Sequence, residues 1–244
     1  MHDKANEFVE VLKKHVQHFH QIVKFNPDNE KIAAFDFTAN NIELQNINTP
    51  DIRQFIKYIS GKLKNHKAKF GIGGYNELRA LYNRSGLFDK NIIAPGDTVS
   101  TGEPRRLHIG IDIWGKEGTE IFAPLDGSVH SFAFNDHLGD YGATIILQHQ
   151  LEETSFFTLY GHLSLHDIAS LNEGARINRG QLFAHFGNTT ENGNWPPHLH
   201  FQIIKNIFPY KGDYPGVCKL SEGKKYLENC PNPDLILNMN RLIS

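Results

Sequence analysis

This sequence of 244 residues lacks several features that would assign it to a common protein class. It has only two cysteines, Cys218 and Cys230, so a disulfide-rich scaffold is excluded; we expect free thiols, with one disulfide as the alternative. No run of about 18 apolar residues is present, which argues against a membrane-spanning helix. The N-terminus MHDKANEFVEVLKKHV has no secretory-signal pattern, so a cytoplasmic location is expected unless a leader has been removed.

An excess of one charge sign is missing as well. Lys and Arg number 25 and Asp and Glu 27, which gives a formal net charge of −2. Basic residues form no long block, and we therefore expect no nucleic-acid partner. The hydrophobic fraction of 39% and the length indicate a globular protein with one large domain, alone or with an appendage. Histidine is abundant, with 14 residues, and imidazole is the commonest metal ligand.

The first part of the chain has the residue spacing of amphipathic helices. Apolar residues recur on one helical face over 4–24 and again over 49–65. In the second segment Thr49 can cap the helix, and Pro50 suits its first turn. We predict a helical N-terminal region over 1–94, which either blocks a site as an inhibitory segment or supports the rest of the fold.

From about residue 95 the pattern changes to short β-branched and aromatic runs, each bounded by Gly, Asn, Asp or Pro. Such runs are typical of a many-stranded antiparallel sheet or sandwich. Asp126-Gly127 predicts a hairpin turn. We therefore predict an α+β protein in which the helical region precedes a β-rich domain over 95–205 and a loop-rich tail over 206–244.

One short motif, LHIGID, carries two candidate metal ligands. His108 and Asp112 are four residues apart in a run whose isoleucines favour a strand over a helix. On a straight strand they would lie about 13 Å apart, so both can bind one ion only if the chain bends, which Gly110 permits. A surface pair without a metal is the alternative, and for this motif alone it is favoured.

The motif HLH places His198 and His200 on one face of a strand and Leu199 on the other. Two neighbouring imidazoles are costly to bury unless they share a metal or hydrogen-bond partners. An exposed pair is the equally weighted alternative. His162, which follows a glycine in LYGHL, is by itself more typical of a structural histidine.

In combination, the motifs H-x-G-x-D, Y-G-H-L and H-L-H-F resemble the lysostaphin-type (LytM-like) zinc metalloendopeptidases, which cleave peptides of bacterial peptidoglycan. The resemblance covers about residues 104–204. It implies a lysostaphin-like fold of the duplicated-hybrid-motif type, one zinc ion per chain, and a peptide or peptidoglycan substrate. It also implies a periplasmic or extracellular location.

The resemblance further implies a role for each motif residue. His108, Asp112 and His200 would bind the zinc, which leaves a coordination position open for water. His162 and His198 would act beside the metal. One would be the general base, and the other would stabilise the intermediate or protonate the leaving amine; which residue does which stays open.

Residues next to these motifs leave other interpretations of the site open. Tyr160 and Trp195 flank the site and either line a substrate groove or pack in the core. The chain departs from the family pattern at Trp195, at the pair Pro196-Pro197, and at Gln202, which replaces an acidic residue. Two other functions therefore stay open: a cytosolic zinc hydrolase of a small amide, and a catalytically silent binding module.

Overall fold

The computed structural model describes residues 4–89 and 102–243. Its α-helices are α1 (Lys4–Lys14), α2 (Ile42–Gln45), α3 (Ile52–His66), α4 (Leu165–Ile168), α5 (Gly223–Asn229) and α6 (Asp234–Leu237). Its strands are β1 (Ile32–Phe35), β2 (Phe70–Gly73), β3 (Glu77–Leu78), β4 (Arg105–His108), β5 (Ile111–Trp114), β6 (Glu120–Phe122), β7 (Gly127–Asn135), β8 (Gly142–Leu151), β9 (Thr154–Leu163), β10 (Arg176–Ile177), β11 (Leu182–His185), β12 (His198–Ile204) and β13 (Val217–Lys219).

Eight strands form the main sheet, in the order β1-β2-β5-β12-β9-β8-β7-β10. Neighbouring strands in it are antiparallel except β1 and β2, which pair in parallel. Two smaller sheets pair β6 with β11 and order β13, β4 and β3. The predicted α+β class with an antiparallel core is confirmed.

The alternation of side chains along β12 separates the core from the candidate site. Leu199, Phe201 and Ile203 belong to the large apolar cluster that also contains side chains of α1 and α6. His198 and His200 are buried on the opposite face of the same strand. The strand period that the HLH motif predicts therefore holds.

The first predicted helix is shorter than its apolar pattern. α1 ends at Lys14, and the chain around Ile22 is irregular, with bends at Ile22 and Val23, instead of helical. The Ile22 carbonyl accepts a hydrogen bond from the Phe122 backbone N–H at 2.8 Å. Pairing with the sheet has thus overridden the local helical pattern. None of the helices in the described residues has the length and apolarity needed to cross a membrane.

The second predicted helix, α3, has a different N-cap from the expected one. It begins at Ile52, and the cap is Asp51 instead of Thr49. The Asp51 side chain accepts a hydrogen bond from the Arg53 backbone N–H at 3.0 Å. Thr49 lies in the turn before the cap, so its hydroxyl is too early in the chain to play this role.

The N-terminal region is not purely helical, because it contributes β1 and β2 to the main sheet. β2 pairs with β5, and their register joins Ile72 to Ile113. The sequence pattern does not predict these strands, since IAAF and FGIG are too short to show a clear period. The predicted boundary between residues 94 and 95 lies outside the described residues.

Asp126-Gly127 does not form the predicted hairpin. β6, before it, pairs with β11, whereas β7, after it, pairs with β8 and β10. Gly127 is needed for space instead: a Cβ there would lie 2.6 Å from a ring atom of His149. A glycine that permits close packing has the same sequence pattern as a turn glycine.

The C-terminal tail is more regular than the predicted loop. Its strand β13 pairs with β4 and joins Val217 to His108 in register, and α5 follows. Cys218 and Cys230 are buried, free thiols. The tail therefore holds the strand on which one candidate ligand lies.

Candidate metal centre and active site

The strands bring the predicted motif residues together. Asp112 on β5 is the register partner of His200 on β12. His108 ends β4, outside the main sheet, and the chain turns before β5 begins at Ile111. The turn supplies the bend that the sequence requires. It depends on Gly110, where a Cβ would lie 2.4 Å from the His200 ring.

Three buried side-chain atoms converge at this turn. His108 Nε2 lies 3.0 Å from His200 Nδ1. Asp112 Oδ1 lies 3.3 Å from His108 Nε2 and 3.1 Å from His200 Nδ1. Within residues 4–89 and 102–243, no other group of three or more His, Cys, Asp and Glu side chains has a geometry suited to a metal ion.

Hydrogen bonds on the far side of each imidazole fix its tautomer. His108 Nδ1 lies 2.8 Å from the Gly74 carbonyl oxygen, which can only accept. His200 Nε2 lies 3.0 Å from Gln202 Oε1. The Gln202 amide nitrogen donates to the Pro215 carbonyl at 3.2 Å, so the amide oxygen must face the imidazole. His108 Nδ1 and His200 Nε2 therefore carry the ring protons.

The opposite nitrogens then present lone pairs to one another. His108 Nε2, His200 Nδ1 and Asp112 Oδ1 are three hydrogen-bond acceptors within contact distance, with no proton donor between them. A cation resolves this arrangement. Two imidazoles and a carboxylate, each oriented by an outer hydrogen bond, suit a zinc ion with one coordination position left open.

Asp112 has a second charged partner, Arg79 of the N-terminal region. Arg79 Nη1 lies 2.5 Å from Asp112 Oδ2, and Arg79 Nε lies 2.5 Å from Glu77 Oε2. Burial alone would raise the pKa of Asp112, but the positive charge of Arg79 outweighs it and holds that pKa well below its usual range. Asp112 is therefore an anion whose Oδ1 is directed toward the two imidazoles.

His162 and His198 lie beside these three residues, with ring centroids 4.1 Å apart. His162 Nδ1 donates to the Asn192 carbonyl at 2.9 Å, and His198 Nδ1 donates to the Pro196 carbonyl at 2.8 Å. Nε2 of each ring is thereby left as an acceptor. Burial lowers the pKa of both imidazoles, that of His198 to about 4, so both rings are neutral at pH 7.

The two predicted groove residues lie in different places. Trp195 lines the cavity beside the histidines, with its ring centroid 6.1 Å from that of His162. Tyr160 does not: its buried ring packs against Phe183 and Phe201 on the core face. His162 has a left-handed backbone with φ of 64°, which breaks the alternation that would place Tyr160 on its face.

A cavity of about 280 Å³ is lined by four of the five motif residues, Asp112, His162, His198 and His200, whereas His108 lies behind its wall. Part of its wall comes from Arg79 and Tyr82 of the N-terminal region, and part from Tyr214 of the tail. The sequence does not predict the roles of Arg79 and Gly74. Each lies more than 30 residues from its partner, Asp112 or His108, and no local motif marks it. The replacement of an acidic residue by Gln202 is the one sequence signal for the outer contacts.

Residues 106–211 match the profile of peptidase family M23. This part of the chain, the M23 domain, is similar to peptidase family M23. The predicted family resemblance is thereby confirmed. All five histidine and aspartate residues around the candidate centre fall within the M23 domain, whereas Gly74 and Arg79 precede it. Their individual roles stay predictions.

Curated relatives share the M23 domain over a limited length. A protein named as an uncharacterized metalloprotease, from Haemophilus influenzae, is 33% identical over 101 residues, which cover 41% of this chain and 19% of that protein. The DD-carboxypeptidase/endopeptidase Mpg of Neisseria meningitidis serogroup B is 32% identical over 104 residues, covering 43% and 21%. The chain thus spans about a fifth of the length of these relatives. Their names agree with the predicted metallopeptidase class.

Solved structures resemble part of the chain. A zinc containing peptidase from Vibrio cholerae is 27% identical with a TM-score of 0.33, and the similarity covers 42% of this chain and 28% of that one. The catalytic domain of lysostaphin from Staphylococcus simulans is 22% identical with a TM-score of 0.36, and the similarity covers 49% and 80%.

Proposed function

We propose that the M23 domain is a zinc-dependent endopeptidase that hydrolyses peptide bonds of peptidoglycan. The observation that carries the proposal is the convergence of three buried acceptors, from His108, Asp112 and His200, with no proton donor between them. Two neutral imidazoles with free Nε2 atoms lie beside them. The names of the relatives, a metalloprotease and a DD-carboxypeptidase/endopeptidase, support the same reaction class.

His162 and His198, beside the centre, can carry out the proton transfers of amide hydrolysis. A bound zinc ion would supply Lewis acidity toward the scissile carbonyl and toward water. His162 Nε2 and His198 Nε2 can each accept a proton from water, because both rings are neutral at pH 7. Once protonated, the same nitrogen can donate to the leaving amine or to the developing oxyanion.

Metal binding and catalysis are separable by substitution. His108→Ala should abolish both stoichiometric zinc and hydrolysis. His198→Ala should retain zinc and lose hydrolysis by about 10²–10⁴-fold, because only a proton-transfer group is removed. His149→Gln is the matched control, since this buried imidazole bonds Asp126 and Thr158 instead of the centre. Wild-type protein without about one zinc per chain would refute the proposal.

The substrate is tested on cell-wall fragments. Mass spectrometry of a muropeptide digest should identify the peptide bonds that the purified protein cuts. Bound zinc without cleavage of any muropeptide or oligoglycine peptide would favour a silent binding module. Action on the cell wall also requires a periplasmic or extracellular location, which fractionation of the native producer would test.

A zinc hydrolase of a small amide is the second candidate function, and the cavity favours it. Its volume of about 280 Å³ is slightly below the roughly 300–1,000 Å³ of small-molecule pockets. Tyr82, Phe88 and Tyr214, which lie outside the M23 match, line it and limit the size of a substrate. Faster hydrolysis of dipeptides and small amides than of muropeptides would decide for this candidate.

A further inference from the structure

Arg79 lies at the centre of a buried polar cluster that ends at a proposed zinc ligand. Its side chain is 2% exposed and contacts both Asp112 and Glu77 at 2.5 Å. Arg79 Nη1 also lies 3.3 Å from the Tyr82 hydroxyl. Glu77 in turn accepts a hydrogen bond from the Phe37 backbone N–H at 3.1 Å. The guanidinium is therefore held from two directions while it binds Asp112.

Gly73, the register partner of Asp112 on β2, adds to the space available to this guanidinium. A Cβ at this position would lie 3.3 Å from Arg79 Nη2 and 3.2 Å from the Phe37 ring, closer than most side chains approach. The missing side chain at Gly73 thus leaves Arg79 unstrained beside the carboxylate. An alanine would crowd the guanidinium without removing any of its partners.

We infer that Arg79 is a positioning residue of the metal centre and acts through Asp112. The inference rests on the proposed zinc site. Because Arg79 binds Oδ2, only Oδ1 faces the two imidazoles, which would restrict Asp112 to one ligand atom. The guanidinium also neutralises a carboxylate that would be costly to bury alone. A segment that precedes the M23 domain thereby completes its metal site.

Zinc affinity and cobalt spectra test the inference. Arg79→Met should bind zinc about 10–100-fold more weakly in competition with a chromophoric chelator, as is usual for loss of an outer partner. Arg79→Lys should lose less zinc affinity than Arg79→Met. The lysine ammonium can bind Asp112, but it cannot bind Asp112 and Glu77 at once as the planar guanidinium does. In Arg79→Met the freed Oδ2 of Asp112 can become an additional ligand atom. Because cobalt(II) absorbs visible light more weakly as its coordination number rises, the cobalt-substituted variant should absorb more weakly than the cobalt-substituted wild type. Circular dichroism checks folding.

Two further variants make the test specific. Arg84→Lys is the matched control: Arg84 is also buried and stacks 4.3 Å over Trp195, but it has no contact with Asp112, so zinc affinity should not change. Gly73→Ala keeps Arg79 but crowds its guanidinium, so it should weaken zinc binding several-fold. This variant replaces Arg79→Met as the test if Arg79→Met does not fold.

The outcomes separate this inference from the proposed activity. Wild-type zinc affinity and cobalt spectra in Arg79→Met, or in Gly73→Ala if Arg79→Met does not fold, would overturn the role of Arg79 and leave the peptidase proposal standing. Protein that cuts no amide, but whose zinc affinity falls in these variants, would refute the activity and support the inference. A wild-type chain that binds no zinc would overturn both.

Discussion

Gln202 offers the sharpest test of how the outer contacts control the metal centre. Gln202→Met preserves most of the side-chain volume but removes the oxygen that accepts from His200 Nε2 at 3.0 Å. The ring proton can then move to Nδ1, where Asp112 Oδ1 lies 3.1 Å away and accepts it. In that tautomer the proton occupies the lone pair that zinc needs, so metal binding must first reverse the shift.

The size of the effect follows from the lost hydrogen bond. A buried donor without an acceptor costs about 1–3 kcal/mol, and about 1.4 kcal/mol is a tenfold change in a binding constant. The zinc dissociation constant should therefore rise by about 5–150-fold. The Tyr141 hydroxyl, 3.4 Å from His200 Nε2, can replace part of the lost contact. Addition of Tyr141→Phe should then bring the effect toward the upper end of this range.

Chelator competition measures this prediction, and Gln202→Glu supplies the control. The glutamate keeps an acceptor for His200, so zinc should bind at least as tightly as in the wild type. It lacks the amide N–H that donates to the Pro215 carbonyl, so the free energy of unfolding should fall by about 1–3 kcal/mol. Equal zinc affinity in Gln202→Met, Gln202→Glu and wild type would refute the tautomer argument.

Three further predictions concern the rest of the chain. Deletion of residues 1–90 removes the partner strand of β5, so we expect insoluble or zinc-free protein; a soluble, more active product would instead show an inhibitory segment. Burial lowers the pKa of His149 from 6.5 to about 4, so the unfolded chain binds the extra proton and stability falls as the pH falls from 6.5 to 4. His149→Gln should remove up to about 3 kcal/mol of that dependence in urea unfolding, and an unchanged pH profile would contradict it. Burial raises the pKa of Cys218 and Cys230 to about 12, so thiol reagents should modify native protein far more slowly than unfolded protein, and equal rates would disprove this.

Local backbone geometry explains why part of the site could be predicted from the sequence. The period of two in β12 places His198 and His200 on one face, whatever the rest of the fold does. A bend at Gly110 is expected because His108 and Asp112 would lie too far apart on a straight strand to bind the same ion. The family resemblance rests on these same short motifs, and the match over 106–211 confirms it.

Features that depend on distant pairing could not be predicted in this way. Tyr160 is on the core face because His162 has a left-handed backbone, and a histidine in a β-rich run gives no sign of that. Arg79 reaches Asp112 from the end of β3, which pairs with β4, and the two-residue strand β3 is too short to show a period. Such placements depend on tertiary contacts, which outweigh local propensity.

The pairing of β13 with β4 has a consequence for the order of folding. Its register joins Val217 to His108, while Gly74 holds the other side of the same imidazole. Contacts so far apart in the chain form late, because the intervening loops must first be ordered. Zinc would therefore find its three ligands assembled only in a nearly native chain. We expect the ion to slow unfolding without accelerating folding, and so to lengthen the lifetime of the finished protein.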